Sequence, residues 1–203
     1  MRSVAGGYDN ESVAVAAIVG TFFFWCRSLR HDSSWSIGVL TGLSYIYMAA
    51  AWGGFTFVLN MIGVHAGVLI LSGNYTAKLH RAYSLFFLIG TAGAMQVPVI
   101  GWQPLQSLEQ LGPLGIFAIL QLLALADIVA AIFRVSSTGR VQLQLVMLAA
   151  GAAVAVAVLS GAMEAGYLGP VSARVRGLFI KHTKTGNPLV DSVAEHQATP
   201  TRA

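Results

Sequence analysis

The chain has 203 residues, enough for one ordinary globular domain, but 56% of them belong to the AVILMFWYC set, only 10% are charged, and the mean hydropathy is +0.69. Soluble domains carry roughly 25% charged residues, so a water-facing surface is excluded and the chain reads as a membrane protein. The 12 Lys and Arg against 8 Asp and Glu give a net charge of +4, which in a bilayer points to basic loops that set orientation and not to nucleic acid.

In chain order, residues 1–11 form a short polar segment that carries Asp9 and Glu11. It does not resemble a signal peptide, because the first charge-poor stretch follows acidic residues and not a basic leader. The run that follows contains Cys26, the single cysteine, which cannot form an internal disulfide. From Ser33 to Ala77 there is no Asp, Glu, Lys or Arg. About 20 residues suffice to cross a hydrocarbon core of roughly 30 Å, so this run is expected to double back. Gly53-Gly54 after Trp52 is the natural break, since glycine tolerates turn dihedrals and tryptophan favours the membrane interface. Further breaks fall at Arg27–Ser34, at Gly73–Arg81, at Pro98–Pro113 and at Arg134–Arg140.

These breaks predict an all-α membrane protein with six transmembrane helices, at about 12–28, 35–52, 54–72, 82–97, 114–133 and 141–165. Residues 166–203 are too polar to span. Three parts result: 1–11, the helical region 12–165, and a terminal segment 166–203. Alternate loops carry Arg27 with Arg30, Lys78 with Arg81, and Arg134 with Arg140, while the two loops between them carry no basic residue. The positive-inside rule makes the basic loops cytoplasmic. Six crossings then put both chain ends on the opposite face. Arg174, Arg176, Lys181 and Lys184 in the terminal segment oppose this, with the lesser weight that long segments carry.

That parity brings Asp9 and Glu11 to the same side as Glu195. Carboxylates are ligands for hard divalent cations, so the three acids form a candidate metal site. Spacing alone fits better a helix start, with Asp9 as N-cap and Glu11 facing the positive end of the dipole, and a solvated Glu195. Asp127 lies inside the fifth predicted span, where an ionisable group marks either function or a carboxyl paired between helices. Asn60 and His65 lie about one turn apart on the third span and fit interhelical hydrogen bonding better than ligation. The run Ala149-Ala150-Gly151-Ala152-Ala153 allows close helix packing, and Glu164 at the end of the sixth span can snorkel. Asn10-Glu11-Ser12 and Asn74-Tyr75-Thr76 match the N-glycosylation acceptor pattern, but one adjoins the membrane and the other is expected on the cytoplasmic face.

Four stretches together are more specific. Arg2-Ser3-Val4-Ala5-Gly6-Gly7-Tyr8-Asp9-Asn10-Glu11 resembles the second acidic motif, R-S-V-A-G-S-Y-D-N-E, of the catalytic subunit of eukaryotic oligosaccharyltransferase. Trp52-Gly53-Gly54-Phe55, followed by Asn60 and His65, resembles that family's W-G-G-Y…N-L-I…H span. Tyr83-Ser84 through Met95-Gln96-Val97-Pro98-Val99-Ile100-Gly101-Trp102-Gln103-Pro104 is similar to its A-Y-S…M-Q-I-P-F-V-G-F-Q-P stretch. Asp191-Ser192-Val193-Ala194-Glu195-His196-Gln197 is similar to its S-V-S-E-H-Q loop, with Ala194 in place of serine.

The resemblance implies a polytopic glycosyltransferase fold of the GT-C type. It implies transfer of an oligosaccharide from dolichyl pyrophosphate to asparagine in N-x-Ser/Thr, at the lumenal face of the endoplasmic reticulum membrane. It also implies Mn²⁺ or Mg²⁺ held by Asp9, Glu11 and Glu195, which double as catalytic residues, with Arg2, Tyr8 and His196 supporting the site or binding substrate. The expected partners are the lipid-linked donor, an acceptor polypeptide, membrane lipid and other subunits of the transferase, with no nucleic acid. The family's first aspartate motif, its carrier-binding arginine and its W-W-D motif have no counterpart here, so the chain is expected to be a middle portion of the family's length. Two alternatives remain: an inactive membrane scaffold, or a small transporter that uses Asp127.

Overall fold

The computed structural model describes residues 10–30 and 35–165, apart from the side chains of Gln106, Leu108, Glu109 and Met163. Every regular element among them is a helix: α1 (Glu11–Ser28), α2 (Trp35–Ala51), α3 (Phe55–Leu71), α4 (Ala77–Met95), the single turn α5 (Gln103–Gln106), α6 (Leu108–Ile132) and α7 (Ser137–Glu164). The protein is thus an all-helical membrane protein, as its composition requires. Three stretches are long and apolar enough to cross a bilayer, Glu11–Ser28, Gln110–Ile132 and Ser137–Ala162. Helices α2 and α3 are apolar but have 17 residues each, about 26 Å at 1.5 Å per residue.

Three helices begin earlier than the charge pattern predicts, at 77, 108 and 137 instead of 82, 114 and 141. Local chemistry accounts for two of these starts. Thr76 caps α4, its hydroxyl accepting from the Leu79 N–H at 3.3 Å. Ser136 does the same for α7, accepting from the Gly139 N–H at 3.3 Å. Lys78, Arg81 and Arg140 therefore lie inside helices, where long stems carry their charged ends to the interface. The third start differs because Pro113, which reads as part of a loop, lies within α6.

The six long helices alternate in direction, as their contacts show. Thr21 on α1 donates to Ser44 on α2 at 3.0 Å, and Asn10 at the start of α1 meets Ala51 at the end of α2, so this pair is antiparallel. Helices α2 and α4 are parallel: Gly38 lies against Ala82, Gly42 against Ile89, and Gly93 against Ile46. Helices α3 and α6 are also parallel, with Gly63 against Pro113 and Gly67 against Ile116. Helix α6 runs antiparallel to α4 through the His80–Gln121 contact, and to α7 through Asp127–Arg140.

Between helices in lipid there is little hydrophobic drive, so close packing and hydrogen bonds hold the bundle. The α2–α4 contact relies on missing side chains. A Cβ on Gly42 would stand 2.9 Å from the Ile89 Cβ, and one on Gly90 would stand 2.9 Å from the Tyr45 ring. At the centre, the buried rings of Trp25, Tyr45, Tyr83 and Phe86 meet edge-on or tilted, with centroids 5.6–6.1 Å apart. Among the described residues, helix α7 lies outside this core and packs chiefly along α6.

Candidate functional site

Alternating directions collect the N-termini of α1, α3 and α6 and the C-termini of α2, α4 and α7 at one end of the bundle. Glu11 stands at that end, half-buried in the first turn of α1, where a carboxylate complements the positive end of the helix dipole. The helix cap is Asn10 and not Asp9. It has helical dihedrals and makes no side-chain capping bond. Its side-chain amide instead donates to the Ala51 carbonyl at the end of α2, one of the carbonyls that a helix C-terminus leaves without an internal partner. This contact anchors the residue beside Glu11 to the Trp52-Gly53-Gly54 turn. There the Trp52 ring lies over Gly54 so closely that a Cβ would come within 2.2 Å of it. Any side chain at 54 would have to displace that ring.

The connection from α4 to α6 lies at the same end. Successive turns bond Ile100 and Gly101 back to Val97, and Gly101 takes a left-handed φ of 51°. Trp102 beside it is 68% exposed, at a depth that suits an interfacial ring. Helix α7 ends here too, with Glu164 at its last position. The chain therefore leaves α7 at the end that carries Glu11, as the predicted parity requires.

Arg2, Tyr8, Asp9, Glu195 and His196 lie outside the described residues. Among the described residues no three His, Cys, Asp or Glu side chains assemble into a metal-binding group. Glu11 offers one hard oxygen donor of the kind Mn²⁺ or Mg²⁺ takes. It fits such a site as one ligand and does not complete one.

Other sequence candidates have structural partners. The Trp25 indole N–H donates to His65 Nδ1 at 3.0 Å, so His65 joins α3 to α1. Asn60 donates to the Thr56 carbonyl of its own helix at 2.9 Å, so it is not the interhelical bond expected. Asp127 is a paired carboxylate: its Oδ1 accepts from Arg140 Nε at 2.7 Å and from Gln144 Nε2 at 2.8 Å. In the loop before α4, burial first and the Asp127 charge second hold the Tyr75 phenol above its ordinary pKa.

Two groups escape the sequence reading. Thr91 and Gln110 are buried, and Thr91 Oγ1 and Gln110 Oε1 have no hydrogen-bond partner among the described residues. Gln110 begins the inward stripe of α6 that continues through Pro113, Leu120, Leu123, Ala126 and Ala130. A polar residue at the head of that helical repeat is the available signal, hidden because Pro113 reads as a helix boundary.

The chain is similar in sequence to known proteins over nearly all of its length. The family described as "Oligosaccharyl transferase STT3, N-terminal" matches residues 1–203. The chain is 40% identical over 200 residues to a Schizosaccharomyces pombe protein named dolichyl-diphosphooligosaccharide–protein glycosyltransferase subunit stt3, covering 97% of this chain and 26% of that protein. It is 38% identical to the STT3 subunits of Dictyostelium discoideum and Caenorhabditis elegans, covering 98% of this chain and 28% and 26% of those proteins. The chain thus spans about a quarter of the length of these relatives. With its helices alternating so that Glu11 and the exit from α7 share one end, and with the family matching along its whole length, the chain belongs to the STT3 oligosaccharyl transferase family.

Proposed function

We propose that the protein to which this chain belongs transfers an oligosaccharide from a dolichyl-pyrophosphate carrier to the side-chain amide of asparagine in N-x-Ser/Thr. It does so at the lumenal face of the endoplasmic reticulum membrane. The names of the relatives support the donor and the reaction. The observation that carries the reading is the common end at which Glu11 stands and α7 ends at Glu164.

The chemistry asks for acids at such a place. An amide nitrogen is a poor nucleophile because its lone pair is delocalised into the carbonyl. Carboxylates that accept both of its N–H hydrogens hold it out of conjugation and aimed at the anomeric carbon of the sugar, an orientation effect. In this reading Asp9, Glu11 and Glu195 share that task, while Arg2, Tyr8 and His196 bind or steady the reacting groups. Attack opposite the departing pyrophosphate inverts the anomeric centre. The same three acids would hold Mn²⁺ or Mg²⁺, which when bound neutralises charge that develops on the leaving pyrophosphate. The fixed position of Asn10 against Ala51 supports the reading, because it orients the start of α1 where Glu11 projects. The isoprenoid tail of the donor lies among lipids against the helices, and other transferase subunits complete the assembly.

The test uses the full-length protein in its membrane complex, with a lipid-linked oligosaccharide and a fluorescent N-x-Thr peptide. Asp9→Ala, Glu11→Ala and Glu195→Ala are each expected to reduce glycopeptide formation by at least tenfold while the complex still assembles. Normal turnover in these variants overturns the assignments.

A further inference from the structure

Among the described residues, charge divides by the ends of the bundle. Arg27 and Arg30 lie at and beyond the end of α1, Lys78 and Arg81 in the first turns of α4, Arg134 after α6, and Arg140 in the first turn of α7. All six stand at the end opposite Glu11. The acids of the Glu11 end are Glu11, Glu109 and Glu164, and the described residues place no Lys or Arg there. Arg27, Arg30, Arg81, Arg134 and Arg140 are exposed. The one described acid toward the basic end, Asp127, is engaged with Arg140.

The depth of these groups suits a membrane boundary. At 1.5 Å per residue, Arg81 and Arg140 lie within about 6 Å of the starts of their helices, well within reach of the interface for an extended arginine. Trp35, the first residue of α2, is 59% exposed at the same end and gives the aromatic marker of headgroup depth.

We propose that this basic ring is a docking surface for the headgroups of anionic phospholipids in the leaflet it faces. Arginine presents paired N–H donors that match phosphate oxygens, and five of the six residues are arginine. An acidic peptide would offer carboxylates to the same side chains. Phospholipid is favoured because the ring sits at the boundary where headgroups are already concentrated, and where each basic residue strengthens association with an anionic surface about fivefold. The inference stands apart from the transfer reaction and from the identity of its catalytic acids.

The test places the full 203-residue chain in bilayers of phosphatidylcholine with phosphatidylserine and compares tryptophan quenching by brominated forms of the two lipids. A Trp52→Phe/Trp102→Phe variant leaves the exposed Trp35 as the reporter of the basic end, beside a Trp25 shielded in the core, and a Trp35→Phe variant leaves Trp52 and Trp102 as the reporters of the other end. The first is expected to be quenched more strongly by the brominated anionic lipid, with a preference that weakens as salt rises. The second is expected to show no preference. Adding Arg27→Gln, Arg81→Gln and Arg134→Gln to the first is expected to reduce the preference at least tenfold, and lysine at those positions to reduce it less, because the charge stays while the paired donors are lost. Equal quenching by both lipids at the basic end overturns the proposal. So does a preference insensitive to salt or to the glutamine changes, a preference at the Trp52–Trp102 end, or one that inorganic phosphate abolishes at constant ionic strength.

Discussion

The Trp25 indole hydrogen is given to His65 Nδ1 across 3.0 Å, and the two rings meet nearly at right angles with centroids 6.0 Å apart. The bond fixes the His65 tautomer, since Nδ1 must be the acceptor and Nε2 the protonated nitrogen. It also links helices that otherwise touch little, α1 and α3.

Removing this bond is expected to cost modestly. Interhelical hydrogen bonds in membrane proteins average about 0.6 kcal/mol and reach about 1.7 kcal/mol. A double-mutant cycle of Trp25→Phe and His65→Leu, read by thermal unfolding in detergent, is expected to give a coupling energy in that range. Additive effects of the two substitutions contradict a direct interaction.

The α2–α4 contact has no room for a methyl group. Gly42→Ala is expected to destabilise the chain by about 1–3 kcal/mol through overpacking against Ile89. Ile89→Ala in the same chain is expected to recover part of that loss. Gly115→Ala on α6 meets nothing within 4 Å and serves as a control, expected to be neutral or slightly stabilising. Equal losses at 42 and 115 contradict the packing described.

Asp127 is engaged through Oδ1 by Arg140 and Gln144, a pairing that accounts for this carboxylate structurally. With Arg140 half exposed, the pair is worth at most about 1 kcal/mol, so Asp127→Asn is expected to lower stability slightly. Purified chain in liposomes is expected to show no proton or ion flux that depends on Asp127. Such flux, abolished by Asp127→Asn, revives the transporter reading.

Gln110 makes a different demand. Its buried side-chain oxygen has no partner among the described residues, a state that costs about 1–3 kcal/mol, so Gln110→Met, close in shape, is expected to raise the unfolding temperature. A lower unfolding temperature contradicts the unpartnered state.

Much of this architecture is legible in the sequence. Scarce charge requires a membrane protein, and Gly53-Gly54 divides the long uncharged run into α2 and α3 as expected. Boundaries that rest on charge are less accurate. Lys78 and Arg140 look like loop residues because their charge belongs in water, but Thr76 and Ser136 start the helices earlier and the long side chains reach water from inside them. Pro113 looks like a break, yet α6 continues through it while its carbonyl accepts from the Tyr83 hydroxyl at 2.9 Å. At the candidate site, the placement of Glu11 and the shared end follow from helix parity. The Asn10–Ala51 contact is invisible in the sequence, because no local pattern announces a hydrogen bond across 41 residues.

The most direct measurement is the sidedness of the chain in sealed vesicles derived from the endoplasmic reticulum. Epitope tags at the two termini and a Thr138→Cys probe in a Cys26→Ser background report both faces at once. Both tags are expected to resist protease until detergent opens the vesicles, while an impermeant maleimide labels the introduced thiol from outside. Tags digested from opposite faces, or both digested in intact vesicles, would contradict this sidedness.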